Sequence, residues 1–264
     1  MMHSEIIAVA VAILLGLIFG SFLNVCIVRL PAGESILVPR SHCRHCKQPV
    51  GAIDNIPVVS WLLLRGRCRA CGASISWQYP LVEAATGILF AACFLHTGLT
   101  WQTLLDATAV FLLLGLAVMD AQTFLLPNVF TLGGIGLAIV LRLAQPSASH
   151  RWLAGLRTVA DALAAALVLL LVRWVYRLAR RQEGMGLGDV KLLAMMAALL
   201  GLPLALVACF LAVLAGAGFS AVQVVRGKAS TQDMVPFGSF LAGAGIATIF
   251  AGPPLLRWYL GFFR

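Results

Sequence analysis

GMGLGDVKLLA, residues 184–194, sets one carboxylate, Asp189, between a glycine-rich approach and an apolar helix. An ionised group is costly in a hydrocarbon environment. The rest of the chain makes that environment the expected one. Of 264 residues, 61% are hydrophobic and only 11% are charged. A soluble domain carries about twice that share of charge. Apolar runs of roughly 20 residues recur along the whole length, which is the signature of a polytopic helical membrane protein. The expected fold is therefore all-α, with about eight transmembrane helices at 6–25, 81–98, 103–119, 125–143, 157–175, 190–202, 204–225 and 235–252. The first run lacks a basic leading segment and a small-residue cleavage site, so it reads as a retained span, not a signal peptide. No internal repeat stands out.

The formal charge of +9 would suggest nucleic acid in a soluble protein. Here it reads as positive-inside loops, with membrane lipid as the surrounding partner and no nucleic acid. With eight spans, 14 of the 19 Lys and Arg fall on one side. They include Arg29, Arg40, Arg44, Lys47, Arg65, Arg67 and Arg69, then Arg173, Arg177, Arg180 and Arg181, then Lys191, Arg226 and Lys228. That side is cytoplasmic by the rule, and both termini lie opposite, with Arg142, Arg151, Arg157, Arg257 and Arg264. The helix after Asp189 has only about 14 residues before the Pro203 turn. At 1.5 Å per residue that is roughly 21 Å, against about 30 Å of hydrocarbon. Asp189 is thus expected at or just below the cytoplasmic boundary.

Asp120, in LAVMDAQTFLLPN, closes the third span at the same expected depth. Two carboxylates at one depth suit an aspartic protease. One takes a proton from water while the other, protonated, polarises the scissile carbonyl, and a close pair shares a proton. The roles within the pair are not assigned from sequence. Each aspartate alone could instead be an ordinary helix cap. Asp106 and Asp161 fall on the opposite side and read that way. Gly184, Gly186 and Gly188 offer backbone freedom where an extended substrate must lie close.

A polar insert, residues 27–79, separates the first two spans. CRHC and CRAC supply Cys43, Cys46, Cys68 and Cys71 with 21 residues between the pairs. Two such knuckles read as a four-thiolate structural zinc site in a zinc-ribbon-like insert, with a redox dithiol pair as the rival. An insert this small has little core of its own, and metal would supply stability. His42 and His45 read as surface residues. Cys26, Cys93 and Cys209 read as packing residues. The organisation is then a first helix at 1–26, the insert at 27–79 and a membrane core at 80–264.

These segments together resemble a known family. GMGLGDVKLLA is similar to the G-x-G-D signature of intramembrane aspartyl proteases, and its setting resembles the prepilin peptidase branch, the type IV leader peptidases. GSFLNVCIVRLP (20–31), NIPVVSWLLLRGRCRACGASISWQYPLVEAATG (55–87), Asp120 with LLPN, and PFGSFL (236–241) follow the family's order. The resemblance implies Asp120 and Asp189 as the catalytic pair, with Gly186, Gly188, Pro236, Phe237 and Gly238 shaping the substrate groove. Ser239 departs from the proline expected there. The resemblance further implies cleavage of type IV prepilins and pseudopilins after a glycine, at the bacterial cytoplasmic (inner) membrane. It also implies N-methylation of the new N-terminus with S-adenosylmethionine, an activity associated with the cysteine insert. No glycine-rich nucleotide fingerprint marks residues for that cofactor, and the oligomeric state is not encoded in any motif. The rival classes are an ion- or proton-coupled transporter built on intramembrane carboxylates and a zinc-ribbon binding module on a membrane anchor.

Overall fold

The computed structural model describes residues 2–146, 150–181, 185–227 and 235–262. Gly184, Lys228 and Arg264, named above, lie outside the described residues. The structure is helical: α1 (Met2–Arg29), α2 (Val59–Leu63), α3 (Gln78–Thr97), α4 (Trp101–Thr123), α5 (Asn128–Ala144), α6 (Arg151–Arg180), α7 (Leu187–Leu200), α8 (Leu202–Val225) and α9 (Phe237–Gly261). Each of the eight expected spans has its helix. Among the described residues, α1, α3, α4, α6, α8 and α9 are long and apolar enough to cross a membrane. That is six, not eight. The helix α5 has 17 residues and α7 has 14, so length alone does not qualify them as full spans. The last helix also runs beyond the expected end at 252, through Pro253 and Pro254 to Gly261.

The chain divides into two compact units, residues 1–103 and 104–264. In the first, α1 packs on α3. The seam works because Gly16 and Gly20 form a G-x-x-x-G pair facing α3. A Cβ on Gly16 would lie 2.6 Å from Gly87 Cα, and one on Gly20 would lie 2.7 Å from Glu83 Cα. Small residues at that spacing let two membrane helices approach closely. One turn further along α1, the Asn24 amide donates to the Tyr79 carbonyl at 3.0 Å.

In the second unit α7 is the centre. It packs against α5, α6, α8 and α9, and Val190 and every residue from Leu192 to Leu199 are buried. A helix apolar on all faces is one surrounded by protein. Its ends are held by α5. Lys191 Nζ donates to Asn128 Oδ1 at 2.8 Å, and Arg142 donates to the Leu199 carbonyl at 3.0 Å. The second bond satisfies one of the carbonyls that every helix leaves open at its C-terminus. Lys191 therefore ties α7 to the start of α5.

Candidate active site

Asp120 stands in the last turn of α4. That helix stops because Phe124 takes a left-handed conformation, φ 55°, and its N–H returns to the Asp120 carbonyl at 2.9 Å. Pro127 then opens α5. Asp120 is 5% exposed. Its Oδ2 accepts the Ser239 backbone N–H at 2.7 Å and lies 3.1 Å from the Ser239 hydroxyl. Ser239 belongs to the first turn of α9, where backbone N–H groups lack the i−4 partner of the helix interior and favour an anion.

Asp189 is half-buried in the first turn of α7. Gly186 is the N-cap, extended at φ −72°, ψ 148°, and its N–H bonds the Asp189 carboxylate. Asp189 is thus the third residue of the helix reaching back to the cap, one half of a capping box. The bland reading, that it caps a helix, describes its local geometry correctly. What the cap alone does not explain is Asp120, which lies within electrostatic range of Asp189.

Leu126 joins the two segments. A Cβ on Gly188 would meet Leu126 Cδ1 at 3.1 Å, and one on Gly238 would meet the same atom at 3.0 Å. The Gly238 Cβ would also lie 2.9 Å from Asp120 Cγ and Oδ2. Glycine at 188 and 238 therefore lets the α7 and α9 openings close on Leu126 and on the carboxylate. Gly186 differs. Its Cβ would meet only Asp189 Oδ2 at 3.6 Å and Gly188 N at 3.8 Å, which are ordinary contacts. Pro236 precedes α9 and Phe237 is its first residue. From sequence, Ser239 stood only as a departure from proline, and Leu126 was not singled out. The LLPN and PFGS segments that contain them were the available signal.

The first unit holds a second constellation. The sulfur atoms of Cys43, Cys46, Cys68 and Cys71 all lie within 4.8 Å of one another, and the Cys43 and Cys71 sulfurs are 3.8 Å apart. Thiolates at about 2.3 Å from a tetrahedral zinc would be about 3.8 Å from each other. The four residues fit a metal ion. They sit on two loops built alike. Cys43 N–H bonds Gln48 O at 2.8 Å, and Cys68 N–H bonds Ala73 O at 2.8 Å. Lys47 N–H bonds Cys43 O, and Gly72 N–H bonds Cys68 O, both at 2.9 Å. Val50 returns to Ser41 as Ile75 returns to Gly66. Every pair is offset by 25 positions, so the insert does contain a repeat, one of backbone bonds more than of letters. The backbone N–H groups of Cys46 and His45 hold the Cys43 thiol down at about 6, while burial and the neighbouring cysteine sulfurs push the Cys71 thiol up to about 11, so the cluster shares its protons unevenly.

Around these loops, Trp61 and Trp77 pack with centroids 4.1 Å apart, and Trp61 Nε1 donates to Ile75 O. Arg69 grips Asp54 with both Nε and Nη2, the shortest bond being 2.7 Å. The hydrogen bond and charge of Arg69 hold the Asp54 carboxyl below its usual range. Arg69 is therefore paired within the insert. Arg29, 6% exposed, donates to the Ser35 carbonyl at 2.9 Å. Val58 opens α2 at φ 59°, ψ −51°, a strained setting for a β-branched residue. Its N–H is held by Glu83 Oε2 at 2.7 Å.

Asp120 and Asp189 thus stand at helix ends within electrostatic range of each other, in a chain with six helices long and apolar enough to cross a membrane among the described residues. Residues 14–97 match the bacterial peptidase A24 N-terminal domain, and residues 107–221 match the type IV leader peptidase family. The chain is 36% identical over 270 residues to a prepilin leader peptidase/N-methyltransferase of Burkholderia pseudomallei strain 1026b, covering 93% of this chain and 86% of the relative. A protein of the same name from Stutzerimonas stutzeri is 36% identical, with 96% and 94% covered. One from Aeromonas hydrophila is 35% identical, with 94% and 92% covered. No solved structure matches the chain. The chain belongs to the type IV leader peptidase family.

Proposed function

We propose that the protein is a membrane aspartic endopeptidase that removes the short basic leader of type IV prepilins or pseudopilins after a glycine, and then N-methylates the new N-terminus. The observation that carries the protease reading is the convergence of Asp120 and Asp189 around Leu126. In the reaction, one ionised carboxylate takes a proton from water as the oxygen bonds the glycine carbonyl carbon. The other, protonated, donates to the carbonyl oxygen. The tetrahedral intermediate then collapses, the C–N bond breaks and the amine nitrogen takes a proton from the pair.

The active site lies at the cytoplasmic boundary of the inner membrane, so the basic leader stays in water while the substrate's hydrophobic helix docks among the spans. The open side of Gly186 is where an extended substrate backbone comes close. Gly188, Pro236, Phe237 and Gly238 shape the groove by holding the carboxylates in place. Residues 80–264 act as the peptidase core, after the first helix at 1–26 and the cysteine insert at 27–79. In the insert, Cys43, Cys46, Cys68 and Cys71 hold a structural zinc ion. Zinc there closes the two loops on each other and takes no part in cleavage. S-adenosylmethionine is the methyl donor, and no residue is assigned to it. The transporter alternative gains no support from the relatives or the helices.

The test is co-expression with a prepilin. Asp120→Asn and Asp189→Asn are each expected to abolish processing while the protein remains inserted. Wild-type processing by either variant would sink the paired-carboxylate reading.

A further inference from the structure

Ser239 bonds the same carboxylate twice, and both bonds fall on one oxygen. The N–H, shared with the Pro236 carbonyl at 3.1 Å, reaches Asp120 Oδ2 at 2.7 Å. The hydroxyl lies 3.1 Å from the same Oδ2 and 2.9 Å from the Ala117 carbonyl. An N–H can only donate, so Oδ2 must present a lone pair to it. A proton on Oδ2 aimed at that N–H would leave two hydrogens facing each other. Gly238 closes the neighbouring side, since even a Cβ there would lie 2.9 Å from the carboxylate. The carboxylate is therefore fixed in rotation, with its two oxygens made unlike.

We propose that Ser239 is a positioning residue for cleavage: it pins Asp120 Oδ2 and leaves Oδ1 as the oxygen that exchanges protons with water and with Asp189. This rests on Asp120 and Asp189 being the catalytic pair. Bonds to a charged acceptor are among the stronger ones, and a carboxylate that rotates freely loses the aim on which the water's attack depends. Proline, expected at 239 from the family resemblance, could make neither bond. In this chain serine makes both.

Three variants separate the contributions. Ser239→Thr keeps the N–H and the hydroxyl, Ser239→Ala keeps only the N–H, and Ser239→Pro keeps neither. Proline is tolerated in the first turn of a helix, so Ser239→Pro should still fold. The assay measures kcat and KM of the full-length enzyme in detergent, on a prepilin fragment comprising leader, glycine and first hydrophobic helix. The expected kcat is near wild type for Thr, about threefold lower for Ala and about tenfold lower for Pro, with KM within twofold throughout. A merely structural role would not give this order, and it would not spare KM. Wild-type kcat in Ser239→Pro, or a loss carried in KM, overturns the proposal. Should Ser239→Pro fail to accumulate, Ala and Thr decide alone: equal kcat for the two overturns it, and an Ala loss restored by Thr supports it. Asp120→Asn is run beside them. If that variant cleaves, the underlying pair has failed; if it is dead while Ser239→Pro is unimpaired, only the present inference has.

Discussion

Adding one methyl group at Gly238 should damage chemistry without damaging substrate binding. The new Cβ would lie 2.9 Å from Asp120 Cγ and Oδ2 and 3.0 Å from Leu126 Cδ1. Carbon atoms rest at about 3.5–4.0 Å, so roughly half an ångström or more must be found. Leu126 can yield by turning its side chain. Asp120 cannot yield without losing its bonds to Ser239. Overpacking of this size costs about 1–3 kcal/mol, and displacement by a sizeable fraction of an ångström costs a catalytic group about 10- to 100-fold in rate. Gly238→Ala should therefore lower kcat by about that factor with KM little changed. Gly186→Ala is the internal contrast. Its Cβ meets only ordinary contacts and its backbone is already extended. It should leave kcat within about twofold and raise KM by about three- to tenfold, because the methyl occupies the side open to substrate. Stopped-time cleavage of a prepilin fragment over a range of concentrations gives both constants. A Gly238→Ala enzyme of normal kcat, or a Gly186→Ala enzyme losing as much kcat as Gly238→Ala, would rule out a clash at Asp120 as the cause.

Two further outcomes concern the first unit. Mass spectrometry of the native protein should find about one zinc per chain, and a Cys43→Ser, Cys68→Ser double variant should lose it together with N-methylation while keeping cleavage; stoichiometric zinc in that variant would refute the four-thiolate site. Glu83→Ala leaves the Val58 N–H without its acceptor and the strained turn without its clasp. It should lower stability by about 2–3 kcal/mol, seen as a lower midpoint of thermal unfolding in detergent. Glu83→Gln, which keeps an acceptor oxygen, should recover most of the loss, and an unchanged midpoint in Glu83→Ala would refute the role.

What could be read from the sequence was whatever depends on neighbours in the chain. Apolar runs gave the eight helices. The C-x-x-C spacing gave the four-cysteine cluster, and the two aspartate motifs gave carboxylates that the fold sets within electrostatic range of each other. Features that join distant segments were not legible. The Ser239–Asp120 contact spans 119 positions, and serine there looked like a trivial departure. Leu126 is one leucine among many, and only close approach shows that Gly188 and Gly238 share it. The repeat in the insert was missed because few letters match besides cysteine and arginine. Backbone hydrogen bonds repeat without asking for the same side chains. The shortness of α7, 14 residues, was legible before the Pro203 turn, but its enclosure by α5, α6, α8 and α9 was not.

That enclosure has a consequence for how the enzyme meets different bilayers. A helix facing lipid responds to a thicker or thinner hydrocarbon layer by tilting or sliding. α7 has α5, α6, α8 and α9 around it and is tethered to α5 at both ends, by Lys191 to Asn128 and by Arg142 to the Leu199 carbonyl. α6, at 30 residues and about 45 Å, has length to spare for adjustment. Asp189 is thus registered against neighbouring helices and not against the acyl chains, and the same peptide bond should be cut in short-chain and long-chain lipids alike.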